Sequence, residues 1–420
     1  MLLCIAALGF GCGTRSEMVR ASPSDNIAAA DTDPLMQKAQ SLIEKSPDLP
    51  IGYTQLAALF AKRARETGDF DLNSKAETAV GRALELDPAD ITARKLQASL
   101  SLTFHRFSKG LELGTKLQKD FPNDPFVYGV LTDANAELGN YDQAVEAAQK
   151  MVDLKPSTAS YARVAHLRSL YGDHNGAVEM FKTAARAADP LDKEAQSWCL
   201  VQLGDELWKG GNYADAEKVY DEALDNLPNF YLALAGKGRV RAAQGDLAGA
   251  EKYLSDVQLR VPNPDAILLL AQVYKLLGND LKANEQVKLF EAIEEKLSVI
   301  GDQKALALFR ADNDLKLPEA LAIAEQEYIL RKDIYTADVY AWCLFKNGRV
   351  EEAKKVIDEA LRLKTRDARI MYHAGMIDKA LGNNKSSRDH LTAAIKLNPA
   401  FDLIQASKAR MALDGPAKSE

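Results

Sequence analysis

Five histidines, His105, His166, His174, His373 and His390, are the first places to look for a metal site or a general base. No two of them stand at metal-ligand spacing with a carboxylate, and no H-E-x-x-H occurs. His174 falls in Gly172-Asp173-His174-Asn175, which reads as a turn and predicts a solvated ring. His373 falls in a helical stretch and reads as a packing or surface residue. Four cysteines, Cys4, Cys12, Cys199 and Cys343, form no CxxC and no Cys/His cluster. No glycine-rich phosphate loop, G-x-S-x-G elbow or dinucleotide fingerprint appears. The residue types point away from catalysis, metals and cofactors. Recognition is the remaining chemistry, and its candidates are aromatic and charged. Trp198, Val201, Asp205 and Trp208 recur at i, i+3, i+7 and i+10, so they form one stripe of a helix.

That stripe belongs to a helix–turn–helix unit running from Trp198 to Pro228. Leu200, Leu203, Gly204 and Leu207 form a second, apolar stripe on the same helix. Gly210-Gly211-Asn212 breaks the helix, because these residues tolerate the backbone angles of a tight turn. Ala216, Val219, Tyr220 and Ala223 then repeat the helical spacing, and Pro228, which lacks an amide donor, marks the stop. Gly204, Ala216 and Ala223 fall where two helices must approach closely. The unit recurs. Pro88, Pro122, Pro156 and Pro190 are 34 residues apart, as are Pro228 and Pro262, and as are Gly348 and Gly382. Gly278 and Gly348 are 70 apart, two periods.

Leu200-x2-Leu203-Gly204-x2-Leu207, then Ala216-x3-Tyr220, then Pro228 resembles the tetratricopeptide repeat, a hairpin of 34 residues. The resemblance implies an all-α, right-handed superhelical solenoid of about ten such hairpins. A solenoid evades the expectation that a chain of 420 residues splits into several globular domains, because each hairpin buries its face on the next. The boundaries read as a signal-like segment at 1–12, a disordered tether at 13–34, and a leading helix with its connection at 35–53. The solenoid follows at 54–399, then a capping helix at 400–414 and a frayed tail at 415–420. The segment after Ala283 reads as a long second helix, and the hairpin Asp302–Lys332 lacks its turn glycine. Cys199 and Cys343 lie several repeats apart and read as buried free thiols.

In this family the first helix of each hairpin lines the concave face. The resemblance therefore assigns a partner-binding stripe: Trp198, Asp205, Trp208, Arg239, Lys275, Phe309, Tyr335, Asp338, Trp342, Phe345 and Tyr372. All three tryptophans of the chain fall on it, and tryptophan is typical of binding anchors. The expected occupant is a protein or peptide segment. Formal net charge is −7 with both signs interspersed, which argues against nucleic acid as the main partner.

Leu2–Phe10 is the longest apolar run, too short for a bilayer span of roughly 20 residues. With Gly11-Cys12 and the polar 13–34 stretch after it, the start resembles the end of a bacterial lipoprotein signal peptide, with Cys12 as the lipidated residue. It departs from that pattern in lacking a basic leading segment and in having Gly9 where leucine is usual. The reading is a non-enzymatic scaffold tethered by lipid at a cell envelope. The alternatives are a soluble cytoplasmic adaptor with a misread start and, more remotely, an enzyme whose site is assembled across repeats.

Overall fold

The computed structural model describes residues 33–297 and 303–414. The Cys12 lipidation reading, the tether up to residue 32 and the tail at 415–420 fall outside them. The described residues hold 22 helices and no strand. Helix α1 (Pro34–Lys45) leads. Five hairpins follow: α2/α3 (Pro50–Thr67, Asp71–Leu86), α4/α5 (Ile91–Thr103, Phe107–Asp120), α6/α7 (Pro125–Leu138, Tyr141–Leu154), α8/α9 (Thr158–Leu170, His174–Arg186) and α10/α11 (Lys193–Lys209, Tyr213–Asn226). Five more complete the array: α12/α13 (Tyr231–Ala243, Leu247–Arg260), α14/α15 (Pro264–Leu276, Asp280–Leu297), α16/α17 (Lys304–Asp312, Leu317–Leu330), α18/α19 (Ile334–Lys346, Val350–Ala360) and α20/α21 (Ala368–Ala380, Asn384–Leu397). Helix α22 (Gln405–Asp414) packs on the last hairpin and caps it. The ten hairpins and the long α15 follow the spacing of the sequence. The array begins at Pro50, four residues ahead of the expected start, because Pro50 occupies the first turn of α2, where a missing amide costs nothing.

The punctuation has identifiable causes. Asp90, Asp124, Asp173, Asp192, Asp246, Asp333 and Asp367 each accept a backbone amide at the start of a first or second helix. The missing turn glycine of the eighth hairpin is replaced by Asp314 and Lys316, whose φ values are +55° and +44°. Tight contacts need small residues. A Cβ on Gly204 of α10 would lie 2.5 Å from the Tyr220 ring, and one on Gly236 of α12 would also lie 2.5 Å from it. The Tyr220 ring is thus held between two glycines, and it is fully buried.

The sequence period says nothing about superhelical pitch, and the pitch is what shapes this molecule. Successive superhelical turns touch. Tyr141 Oη accepts from the Ile334 amide at 2.9 Å across 193 residues. Thr365 Oγ1 donates to the Leu170 carbonyl across 195 residues. Asn398 Nδ2 donates to the Trp208 carbonyl at 2.9 Å across 190 residues, and Tyr213 Oη donates to Asn398 Oδ1 at 2.5 Å. Arg331 pairs with Glu137 at 3.5 Å across 194 residues. The turn inside a hairpin of the first superhelical turn therefore rests on the connection between hairpins of the second. The turn glycines record this. A Cβ on Gly139 would meet the Lys332 carbonyl oxygen at 2.5 Å, on Gly172 the Lys364 oxygen at 2.5 Å, and on Gly211 the Leu397 oxygen at 2.8 Å. Gly245, Gly278, Gly348 and Gly382 occupy the same place in later hairpins, and a Cβ there would meet nothing within 4 Å.

Candidate functional site

With the two superhelical turns in contact, the first-helix face encloses a bore rather than an open groove. Among the described residues, a pair of adjoining chambers lies along it. One, of about 420 Å³, is lined by α8, α10 and α12 of one turn and by α16, α18 and α20 of the next. The other, of about 780 Å³, extends along α14 to α16 and the segment before α22. Trp208, Arg239, Asp265, Arg369 and Phe401 line both.

Of the stripe expected from the sequence, Asp205, Trp208, Arg239, Tyr335 and Asp338 line the first chamber, and Lys275 and Phe309 line the second. Four aromatic residues do not line either. Trp342 is 2% exposed: its indole stacks on His373, centroids 4.1 Å apart, and on Phe345, and its Nε1 donates to Asp312 Oδ1 at 2.9 Å. Tyr372 is 1% exposed, with its hydroxyl on Gln405 Oε1 at 3.1 Å. Phe345 is half-buried against Trp342, and Trp198 packs against the core shared by the fourth to sixth hairpins. At these positions the stripe turns sideways, into the gap between neighbouring first helices, so the rings fill core. His174 is also not solvated. Its Nδ1 lies 2.9 Å from Glu206 Oε1, and Ser169 Oγ donates to Glu206 Oε2 at 2.7 Å. His373 is fully buried with Nδ1 2.8 Å from Asp338 Oδ1.

The polar lining is largely engaged with itself. Tyr220 Oη donates to Asp205 Oδ1 at 2.6 Å, Arg239 forms an ion pair with Asp205, and Arg239 Nη2 donates to Tyr220 Oη at 3.0 Å. Burial and the Asp205 carboxylate push the Tyr220 phenol well up, so it stays protonated and donates. The guanidinium of Arg239 lies over the Trp208 ring, 4.5 Å from its centroid. Burial pushes the Asp312 carboxyl up to about 6 despite the opposing charges of His373 and Arg369. Burial, with the Lys209 charge, holds the His166 imidazole down at about 4 and so neutral at pH 7.

Sequence reasoning missed Lys209, Asp265 and Arg369, all of which line the first chamber. Arg369 belongs to a different superhelical turn from Lys209, and no spacing within one repeat signals their proximity to a shared space. No group of three or more His, Cys, Asp or Glu among the described residues could hold a metal ion. Cys199 and Cys343 are buried and free, and burial pushes the Cys199 thiol up to about 12. No helix among the described residues is long and apolar enough to cross a membrane.

The geometry is that of a helical-repeat solenoid, and comparison with known proteins agrees on the repeat. Residues 201–274 and 368–401 match family models described as tetratricopeptide repeat. The chain carries tetratricopeptide repeats, and proteins built from them generally act as protein-interaction scaffolds. A BBSome complex member BBS4 homolog from Drosophila melanogaster is 21% identical over 292 residues, covering 66% of this chain and 58% of its own length. The TPR repeat-containing protein MJ0940 of Methanocaldococcus jannaschii is 34% identical over 98 residues, covering 23% of this chain and 31% of its own. The chain thus spans between about three tenths and three fifths of the curated relatives it matches. Among solved structures, PilW, a type IV pilus biogenesis factor, covers 47% of this chain and 91% of its own at 22% identity and a TM-score of 0.40. The human IFIT1 dimer with PPP-AAAA covers 89% and 87% at 14% identity and a TM-score of 0.47. At such scores neither bears on what this chain does.

Proposed function

We propose that this chain is a non-enzymatic scaffold that holds a segment of a protein partner in its bore, and that it is anchored by lipid on Cys12 at a bacterial cell envelope. The observation that carries the binding reading is the pair of adjoining chambers, about 420 and 780 Å³, joined at Trp208, Arg239 and Arg369. Trp208 offers a half-buried ring beside fixed charges, the division between apolar anchor and polar orientation typical of recognition. The first chamber carries Lys209, Arg239, Lys304 and Arg369 against Asp205, Glu206, Asp265, Asp338 and Asp367. That mixed lining offers no continuous basic track for the repeated phosphates of a nucleic-acid backbone, and so favours a polypeptide. The lipid anchor rests on the Cys12 sequence pattern alone.

A photo-crosslinking residue in place of Gln272, which lines the second chamber, tests the binding reading in native cells. The expected product is one defined peptide of one partner, lost when Trp208→Ala is added and not formed from a probe at the exposed Lys218. A crosslink that ignores Trp208→Ala, or none at all, removes the bore as the binding surface. Intact mass of the native protein tests the anchor: acyl groups on Cys12 with residues 1–11 missing support it. An unmodified Cys12 leaves the soluble adaptor.

A further inference from the structure

The first chamber is bounded by both superhelical turns, and its hydrogen-bonding capacity is unbalanced. Most of its carboxylates have their own partners. Asp205 has Arg239 and Tyr220, Glu206 has His174 and Ser169, and Asp338 has His373. Asp367 accepts the Arg369 and Ile370 amides at the start of α20. Several donors are left over. Among the described residues, the Lys209 ammonium, on the first superhelical turn, and the Arg369 guanidinium, on the second, make no direct ion pair or side-chain hydrogen bond, and neither does the Tyr335 hydroxyl; Lys209 sits in the field of Tyr335, Glu206, Asp367 and Asp205, and Arg369 in that of Asp402, Asp312, Asp367 and Asp338. Trp208 Nε1 and Arg239 Nε are buried and meet no acceptor there. Chambers with surplus donors recognise ligands that bring acceptors, and a charged acceptor makes the stronger bonds.

We infer that this chamber binds a compact oxyanion, a carboxylate or a phosphate group, held between Lys209 of one superhelical turn and Arg369 of the next with the Tyr335 hydroxyl as a third donor. The inference deepens the scaffold reading, since an acidic or phosphorylated residue of the bound segment would supply that group. The anion would also tie the two turns together, because its ligands come from both. Anything that binds only the closed superhelix stabilises closure by mass action. Asp265 is the opposing element. It lines the same chamber, its carboxylate makes no hydrogen bond or ion pair among the described residues, and its negative charge faces Arg239 and Arg369. It should weaken anion binding, so its removal should act in the opposite sense to removal of the cations.

Calorimetric titration of the full chain at pH 7 with inorganic phosphate, and separately with succinate, tests this. The expected result is saturable binding of one or both anions, weakened about tenfold or more by Lys209→Met and by Arg369→Met. Asp265→Asn should tighten it a few-fold. Binding of phosphate alone supports a phosphorylated ligand, and of succinate alone a carboxylate. The melting temperature without anion should not fall in Asp265→Asn, which removes a buried charge, so a change of anion affinity in that variant cannot come from loss of the fold. Absence of binding by both anions overturns the inference, as does binding indifferent to all three substitutions. A defined crosslink from position 272 with no anion binding overturns this inference and leaves the scaffold reading intact. Anion binding with no crosslink does the reverse.

Discussion

Gly172→Ala should cost clearly more than Gly348→Ala, although the two glycines do the same local work. Each ends the first helix of a hairpin with a positive φ, +76° at Gly172 and +77° at Gly348. Forcing a side chain into that left-handed region costs roughly 1–2 kcal/mol at either place. The surroundings differ. At Gly348 an added Cβ meets nothing within 4 Å, whereas at Gly172 it lies 2.5 Å from the Lys364 carbonyl oxygen on the next superhelical turn. Backbone on both sides cannot rotate away as a side-chain tip can. Either the overlap is absorbed as strain, about 1–3 kcal/mol by analogy with overpacked cores, or the turns part. Parting releases the Thr365 hydroxyl from the Leu170 carbonyl, a further loss of about 1 kcal/mol. The excess of Gly172→Ala over Gly348→Ala is therefore expected at ~1–3 kcal/mol in urea melts. Hydrogen exchange should localise it, with lost protection around both residues 170–173 and residues 364–366. Equal costs, or exchange changes confined to the fourth hairpin, would refute contact between the superhelical turns.

Gly204→Leu should destabilise the fourth to sixth hairpins by about 1–3 kcal/mol or more, because even a Cβ there meets the buried Tyr220 ring at 2.5 Å; unchanged exchange protection across them would contradict the packing. Asp312 has a folded pKa raised to about 6 from an ordinary carboxyl value of 3.8, so its protonated form favours the fold. Its contribution is fully present below pH 3.8 and lost as the pH rises through 6, so Asp312→Asn should raise stability at pH 8 by on the order of 1–3 kcal/mol. That gain should shrink to nothing near pH 4, and a pH-independent difference in thermal melts would count against it. Cys199 and Cys343 should resist a thiol reagent in the folded protein and react on unfolding, since both are buried. Rapid labelling of either in native buffer would show that its hairpin opens.

The repeat period made the hairpins, the capping helix, the close approach at Gly204 and the buried cysteines legible, because each depends on neighbours within about one period. The superhelical pitch was not legible. It depends on small rotations between hairpins, and the contacts that record it, such as Tyr213 with Asn398, join residues 185 apart. The bore inherits that gap. Asp205 and Trp208 could be placed on an inner stripe by helical spacing, but nothing in one repeat pairs Lys209 with Arg369. Trp342 and Tyr372 show the limit of the stripe itself. An i, i+3, i+7 pattern names a helix face, yet residues at its margin turn into the gap between adjacent helices, where Trp342 finds His373 and Asp312. His174 looked solvated because its turn is polar, and the carboxylate that holds it, Glu206, belongs to the following hairpin.

Closure of the superhelix is what makes the bore, and a distance across its seam tests that closure most directly. Spin labels at Tyr171→Cys and Arg366→Cys, both exposed beside the Gly172 contact, can be placed in a chain whose Cys4 and Cys12 are serine, leaving the buried Cys199 and Cys343 unlabelled. Pulsed dipolar spectroscopy should return a single short, narrow distance distribution, broadened and lengthened by Gly172→Ala but not by Gly348→Ala. A long, broad distribution in the unaltered background would mean that the turns do not meet and that the bore is an open groove.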